Sequence, residues 1–70
     1  MYLIINNNPQ SFENLSGAHS LHRILKYLAM DRQEGIAVAV NDVVIPKQNW
    51  EAAPLSENDH ITIIKAVQGG

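Results

Sequence analysis

One helical stripe set among strand-like runs limits what this chain can become. Leu21, Ile24, Leu25 and Leu28 recur at the i, i+3, i+4, i+7 spacing of a single helix face. The other apolar runs are short and rich in Ile, Val and Thr, the residues that suit a pleated surface. An apolar helix stripe must be buried against another element, and a sheet built from those runs is the partner this sequence offers. The helix is expected over 20–30. Ser20 is its N-cap, since its hydroxyl can accept from an orphan amide of the first turn. Arg23 stands where a capping box would place Glu or Gln, so that support is missing. His22, Arg23, Lys26 and Tyr27 fall largely away from the stripe, and the polar stretch 31–35 closes on Gly35, which suits a helix exit.

The strands read in order. An apolar run at 2–6 is followed by Asn6-Asn7-Asn8-Pro9, a dense turn signal, and by a second strand over 10–15 anchored on Phe12. Ile36-Ala37-Val38-Ala39-Val40 alternates large and small residues, which leaves Ala37 and Ala39 on a shallow face. Asn41-Asp42 is a two-residue turn candidate. Val43-Val44-Ile45 returns as a short strand that Pro46 stops. The stretch 47–58 is the least regular, with Trp50 and Leu55 as its large apolar residues and a turn at 56–59. The last strand, 60–67, places Ile61, Ile63 and Lys65 on one face and Thr62, Ile64 and Ala66 on the other. The fold class is therefore α+β: a four- to five-stranded sheet covered on one face by one helix. The stripe is expected to pack on Leu3, Ile5, Val38, Val40, Ile61 and Ile63. The organisation is a single domain over 1–67 with a flexible tail at 68–70.

Size and charge remove several classes of function. A chain of 70 residues can hardly enclose a pocket of about 300–1,000 Å³ and still fill its own core. That favours a carrier, adaptor or binding module over an enzyme. With no Cys there is no thiol nucleophile, redox pair or thiolate metal site, and the lack of disulfides points to the cytoplasm. A net charge of −2 with five Lys and Arg gives no basic footprint for nucleic acid. No signal peptide or membrane-spanning run is visible. His19, His22 and His60 are too scattered to converge on a metal. Ser20, His22 and Asp31 share the names of a triad but lie on one helix and its flanks, with no oxyanion hole. No glycine-rich loop joins a strand to the helix, so no phosphate cradle is expected. His22, Arg23 and Lys26 make a small cationic face of the kind that is usually solvated.

What is left is the end of the chain, Gln68-Gly69-Gly70. At average glycine usage a diglycine in the last two places arises by chance about half a per cent of the time. Two glycines have the thinnest profile a chain can have and can thread a narrow channel. A carboxylate with no side chain beside its carbon is open to activation. An extended tail of about four residues reaches ~13 Å, enough to deliver the terminus into a partner while the body docks outside.

The strand–hairpin–helix–strands order with a terminal Gly-Gly resembles the ubiquitin-like β-grasp fold. Ala39-Val40-Asn41, Val44-Ile45-Pro46-Lys47, Trp50, Leu55 and Ile61-Thr62-Ile63-Ile64, leading to Val67-Gln68-Gly69-Gly70, make the chain resemble the ThiS family of sulfur carriers. Asn41, Pro46, Lys47 and Trp50 form the discriminating run. The chain departs from the family at Asn58, where Gly is common before Asp59. Asn tolerates positive φ, so the turn is expected to survive. The N-terminal hairpin is slightly longer than the family's. The resemblance implies that a ThiF-type adenylyltransferase activates Gly70 with ATP. Sulfur from a donor such as a cysteine desulfurase then leaves a terminal thiocarboxylate, which a ThiG-type thiazole synthase consumes. Gly69 and Gln68 would thread the partners' active sites. No cofactor is expected on the carrier itself. Ile64 and Val67 are candidate docking residues; for Ile64 the alternative is burial beneath the irregular 47–55 stretch. Two other readings share the diglycine: the small subunit of molybdopterin synthase, with the same thiocarboxylate chemistry, and a ubiquitin-like modifier joined to lysines.

Overall fold

The computed structural model describes residues 1–12, 20–31 and 34–65. In order they form β1 (Tyr2–Ile5), β2 (Asn8–Ser11), α1 (Leu21–Tyr27), β3 (Ile36–Val40), β4 (Val43–Val44), a 3₁₀ helix (Lys47–Ala52) and β5 (His60–Lys65). The strands make one five-stranded sheet in the order β2-β1-β5-β3-β4. β1 and β5 run parallel at its centre and the other pairs are antiparallel. This is the expected α+β, β-grasp arrangement.

The stripe on α1 is what joins helix to sheet. Leu21, Ile24 and Leu25 are fully buried, and Leu28 packs on the same cluster. They meet Leu3, Ile5, Val38 and Ile61 from the inner face of the sheet, with Val40 and Ile63 at the margin. Phe12, Trp50 and Leu55 complete the core from outside the helix and the central strands. Burying a side chain of this kind is worth about 1.5–3 kcal/mol, so a core this small depends on nearly every member.

Both two-residue hairpins turn on asparagine. Asn6 and Asn7 have φ of 49° and 67°, and Asn41 and Asp42 have φ of 50° and 70°. That left-handed pair is what a tight hairpin requires. The first turn is thus shorter than the expected 6–9 signal, and Pro9 lies within β2 opposite Ile4. It fits because β2 is an edge strand. Met1 and Phe12 exchange hydrogen bonds at the open end of the hairpin, and alternation from there puts the proline nitrogen outward, so no ladder bond is lost. The expected second strand, 10–15, is observed two residues earlier at its start; positions 13–15 lie outside the described residues.

α1 is shorter than the expected 20–30. Ser20 is the N-cap, its Oγ accepting from the Arg23 amide at 3.3 Å. The Leu21 amide, another orphan donor, is taken by the Ala53 carbonyl at 2.9 Å. The exit is not at Gly35. Ala29 adopts φ 60°, with its amide donating to Lys26 and the Met30 amide to Leu25. These two bonds are a Schellman closure, and Met30 packs against the core just beyond it. Gly35, at φ 74°, instead precedes β3.

The stretch read as least regular contains the 3₁₀ helix. It starts after Pro46, and the Asn49 amide donates to the Pro46 carbonyl at 2.8 Å. Trp50 is carried into the core, where its indole N–H donates to the Ile45 carbonyl at 2.9 Å. In the following turn the Asp59 carboxylate accepts from the Ser56 amide, and Asn58 takes φ 68°, as its tolerance for that region allows. β5 is observed to Lys65; Ala66 and Val67 lie outside the described residues.

Candidate functional site

The working end expected from sequence, Gly70 with Gly69, Gln68 and Val67, lies outside the described residues. The strand that leads to it does not. β5 occupies the centre of the sheet, with β1 on one side and β3 on the other. Its inward residue Ile61 is buried, whereas Ile64 points to the opposite face and is 60% exposed. The alternative placement of Ile64, beneath the 47–55 stretch, is therefore excluded. Trp50 and Leu55 from that stretch pack into the core on the helix side instead.

Register shows what surrounds Ile64. It pairs with Ala37, Thr62 pairs with Ala39, and Ala39 pairs with Val44. Paired residues share a face, so Ile64, Thr62, Ala37, Ala39 and Val44 lie together on the side away from α1. Val44 is 67% exposed. The alanines leave a shallow floor between the two larger side chains. Sequence alternation indicated the shallow face through Ala37 and Ala39, but the place of Val44 beside it follows only from register.

Two asparagines act on β5 from the hairpin turns. Near its start, the Asn41 side chain accepts from the His60 amide and donates to Asp59 Oδ1, both at 3.0 Å. Near its far end, Asn6 Oδ1 accepts from the Ile63 amide at 2.8 Å, while the Asn6 amide donates to the Ile61 carbonyl at 2.9 Å. Composition marked both residues as turn formers, but their reach to a strand distant in sequence could not be read from local pattern.

The residues whose names suggested other chemistry are placed differently. His22 faces Asp31 Oδ2 with Nε2 at 4.0 Å and Glu51 Oε1 with Nδ1 at 3.9 Å. Both ring nitrogens thus look toward carboxylates, and Ser20 Oγ is engaged in capping. Ser20, His22 and Asp31 do not form a relay. Among the described residues no group of three or more His, Cys, Asp or Glu is arranged to hold a metal ion. His60 begins β5 and is exposed, and His19 lies outside the described residues. Among the described residues no helix is long and apolar enough to cross a membrane.

Comparison with known proteins bears on the fold and on the family. A crystal structure of a thiamine biosynthesis protein, ThiS, from Geobacter metallireducens superposes with a TM-score of 0.84 at 20% identity, covering all of both chains. A solution structure of a thiamine biosynthesis protein from the same organism gives 0.78 at 20% identity, over all of this chain and 88% of that one. At that identity these matches speak for the fold. In sequence, the chain is 29% identical over 63 residues to the Escherichia coli sulfur carrier protein ThiS, covering 90% of this chain and 92% of the relative. The model of the ThiS family matches residues 3–70, from the first core residue of β1 to the terminal glycine. The chain belongs to the ThiS family.

Proposed function

We propose that this protein is a sulfur carrier in thiamine biosynthesis and that Gly70 is the residue that bears the sulfur. The observation that carries this reading is the family match, which extends through the diglycine to residue 70. The name of the Escherichia coli relative supports it. In this reading the chain is a co-substrate, not a catalyst. A ThiF-type adenylyltransferase joins the Gly70 carboxylate to AMP from ATP and releases pyrophosphate. The outer sulfur of a persulfide supplied by a donor such as a cysteine desulfurase then displaces AMP, and a thiol reductant cleaves the resulting acyl disulfide to leave a thiocarboxylate. A ThiG-type thiazole synthase takes the sulfur for the thiazole ring.

The carrier's own contribution is presentation. A carboxylate becomes a useful electrophile only once it has a good leaving group, and the partner supplies that. The body has to dock while Gln68 and Gly69 enter a narrow channel. The face carrying Ile64, Thr62, Ala37, Ala39 and Val44 is mostly apolar, exposes Ile64 and Val44, and is formed partly by the strand that leads to the tail. We assign docking to that face, with Ile64 as its centre; Val67, a second docking candidate, lies outside the described residues.

The test is intact-mass measurement after incubation with the activating enzyme, ATP and a sulfur source. Exchange of one oxygen for sulfur adds about 16 Da, and fragmentation has to place it at the carboxyl terminus because oxidation of Met1 or Met30 adds the same nominal mass. An isopeptide adduct to a larger protein would instead make the chain a modifier. An unaltered terminus would leave a passive binding domain as the better account.

A further inference from the structure

The parallel ladder between β1 and β5 ends in an unusual way. The Ile4 amide donates to the Asp59 carbonyl at 3.0 Å, and the Asn6 amide donates to the Ile61 carbonyl at 2.9 Å. In a regular parallel pair the next acceptor, for the Ile63 amide, would be the main-chain carbonyl of Asn6 itself. That carbonyl is not available to it. Asn6 has turned to φ 49° to open the hairpin, and its carbonyl accepts from Asn8 Nδ2 at 3.2 Å. The Ile63 amide is bonded instead by Asn6 Oδ1, at 2.8 Å.

One residue therefore performs two tasks that conflict for a main chain. Its backbone leaves the sheet to make the turn, and its side-chain amide supplies the acceptor that the backbone has withdrawn. The effect falls on the working strand. As far as Ile63, β5 is therefore held on both sides, paired with β3 on one and tied to the β1–Asn6 ladder on the other. The next residue is Ile64, the exposed residue paired with Ala37. A strand held from one side can twist about that ladder, whereas one held from both sides cannot do so without breaking a bond.

We infer that Asn6 is a positioning residue for the carrier, with its side-chain oxygen standing in for a main-chain carbonyl to fix the orientation in which β5 presents Ile64 to the activating partner. This rests on the sulfur-carrier reading for its partner, but not for its geometry. Asn6 acts through β5 and need not touch the partner.

Two variants separate the tasks. Asn6→Gly keeps a residue at ease with positive φ and removes the acceptor. Asn6→Asp keeps both an acceptor oxygen and tolerance for the turn. Amide exchange on the full chain is the first readout. Asn6→Gly is expected to speed exchange at Ile63 by about tenfold, a local opening, with the Leu25 and Val38 amides unchanged; Asn6→Asp restores protection. The second readout is adenylation by the activating enzyme. Asn6→Gly is expected to raise KM for the carrier about fivefold with kcat unaltered, the mark of lost binding and not of lost chemistry, and Asn6→Asp to bring it back.

Unchanged exchange at Ile63 would overturn the inference, as would exchange rising equally throughout the core or a KM equal to wild type. If the wild-type chain is not adenylated at all, the carrier reading fails, and with it the assigned partner. The exchange arm then still decides whether Asn6 holds β5.

Discussion

Ala29 shows how a single residue can be read wrongly from local preference. Sequence favoured an exit at Gly35, because glycine is at ease in the left-handed region that ends many helices. The helix closes at Ala29, with φ 60°, because the position after it matters more. Met30 packs on the core and its amide bonds the Leu25 carbonyl, and both require the chain to reverse at residue 29. The strain of a Cβ in that region is about 1–2 kcal/mol, and glycine gives back part of the difference through its freer unfolded chain. Ala29→Gly is therefore expected to stabilise the protein by about 0.5–1 kcal/mol, read as a higher urea midpoint at constant m value. An unchanged or lower midpoint would mean that the alanine methyl makes contacts worth more than the strain. Asn58 is the complementary case. It takes φ 68°, and its place in the turn was foreseen from the side chain's known tolerance.

Among the elements, β1, β3, β5 and the helix were legible because each carries its own periodicity, whereas β2, exposed along its length, was placed two residues late because Asn8-Pro9 read as turn. The alternation in β3 and β5 placed Val38 and Ile61 inward, and both are buried. The 3₁₀ helix was missed because nothing periodic announces it. It is held by Pro46 at its start and by Trp50, whose indole bonds the Ile45 carbonyl and whose ring fills the core. The same contacts explain the run that marked the family. Asn41 turns a hairpin and bonds the start of β5, Pro46 starts the 3₁₀ helix, and Trp50 seals the core. In this chain, then, the most discriminating part of the motif builds the scaffold. Docking is proposed for the opposite face of β5. Ile64→Glu is expected to change stability by less than about 0.5 kcal/mol, as for other exposed positions away from special contacts. It should raise KM with the activating enzyme at least about tenfold, by placing a charge in an apolar contact. A large loss of stability with intact binding would move Ile64 from the docking face to a structural role.

For the molecule as a whole, the described scaffold and the proposed chemistry occupy different parts of the chain. The core cluster described above draws on residues from Met1 to Ile63, whereas the reaction is assigned to Gly70. Deleting Gly70 is accordingly expected to abolish adenylation while shifting the melting temperature by no more than about 2 °C, as for a change outside the core. A substantial drop in melting temperature would show that the terminus is part of the fold. The fold was legible from stripe and alternation; the diglycine stood out in the sequence by itself, but the sulfur chemistry proposed for it came only through the resemblance, because a bare carboxylate on glycine leaves no side-chain signature to read. Pro9 has a further consequence for how such a carrier survives at working concentration. A small protein that keeps an open apolar sheet face risks lengthening its sheet with a neighbour's, since outermost strands offer unsatisfied amides and carbonyls. Here one outermost strand has Pro9 with its nitrogen turned outward, and the other is only Val43–Val44, closely followed by Pro46. Neither rim can template a long partner. Pro9→Val, which restores an outward amide and a β-branched side chain, is expected to leave the monomer folded but promote concentration-dependent self-association, seen as rising light scattering. A variant that stays monodisperse would show that the proline is not what keeps these molecules apart.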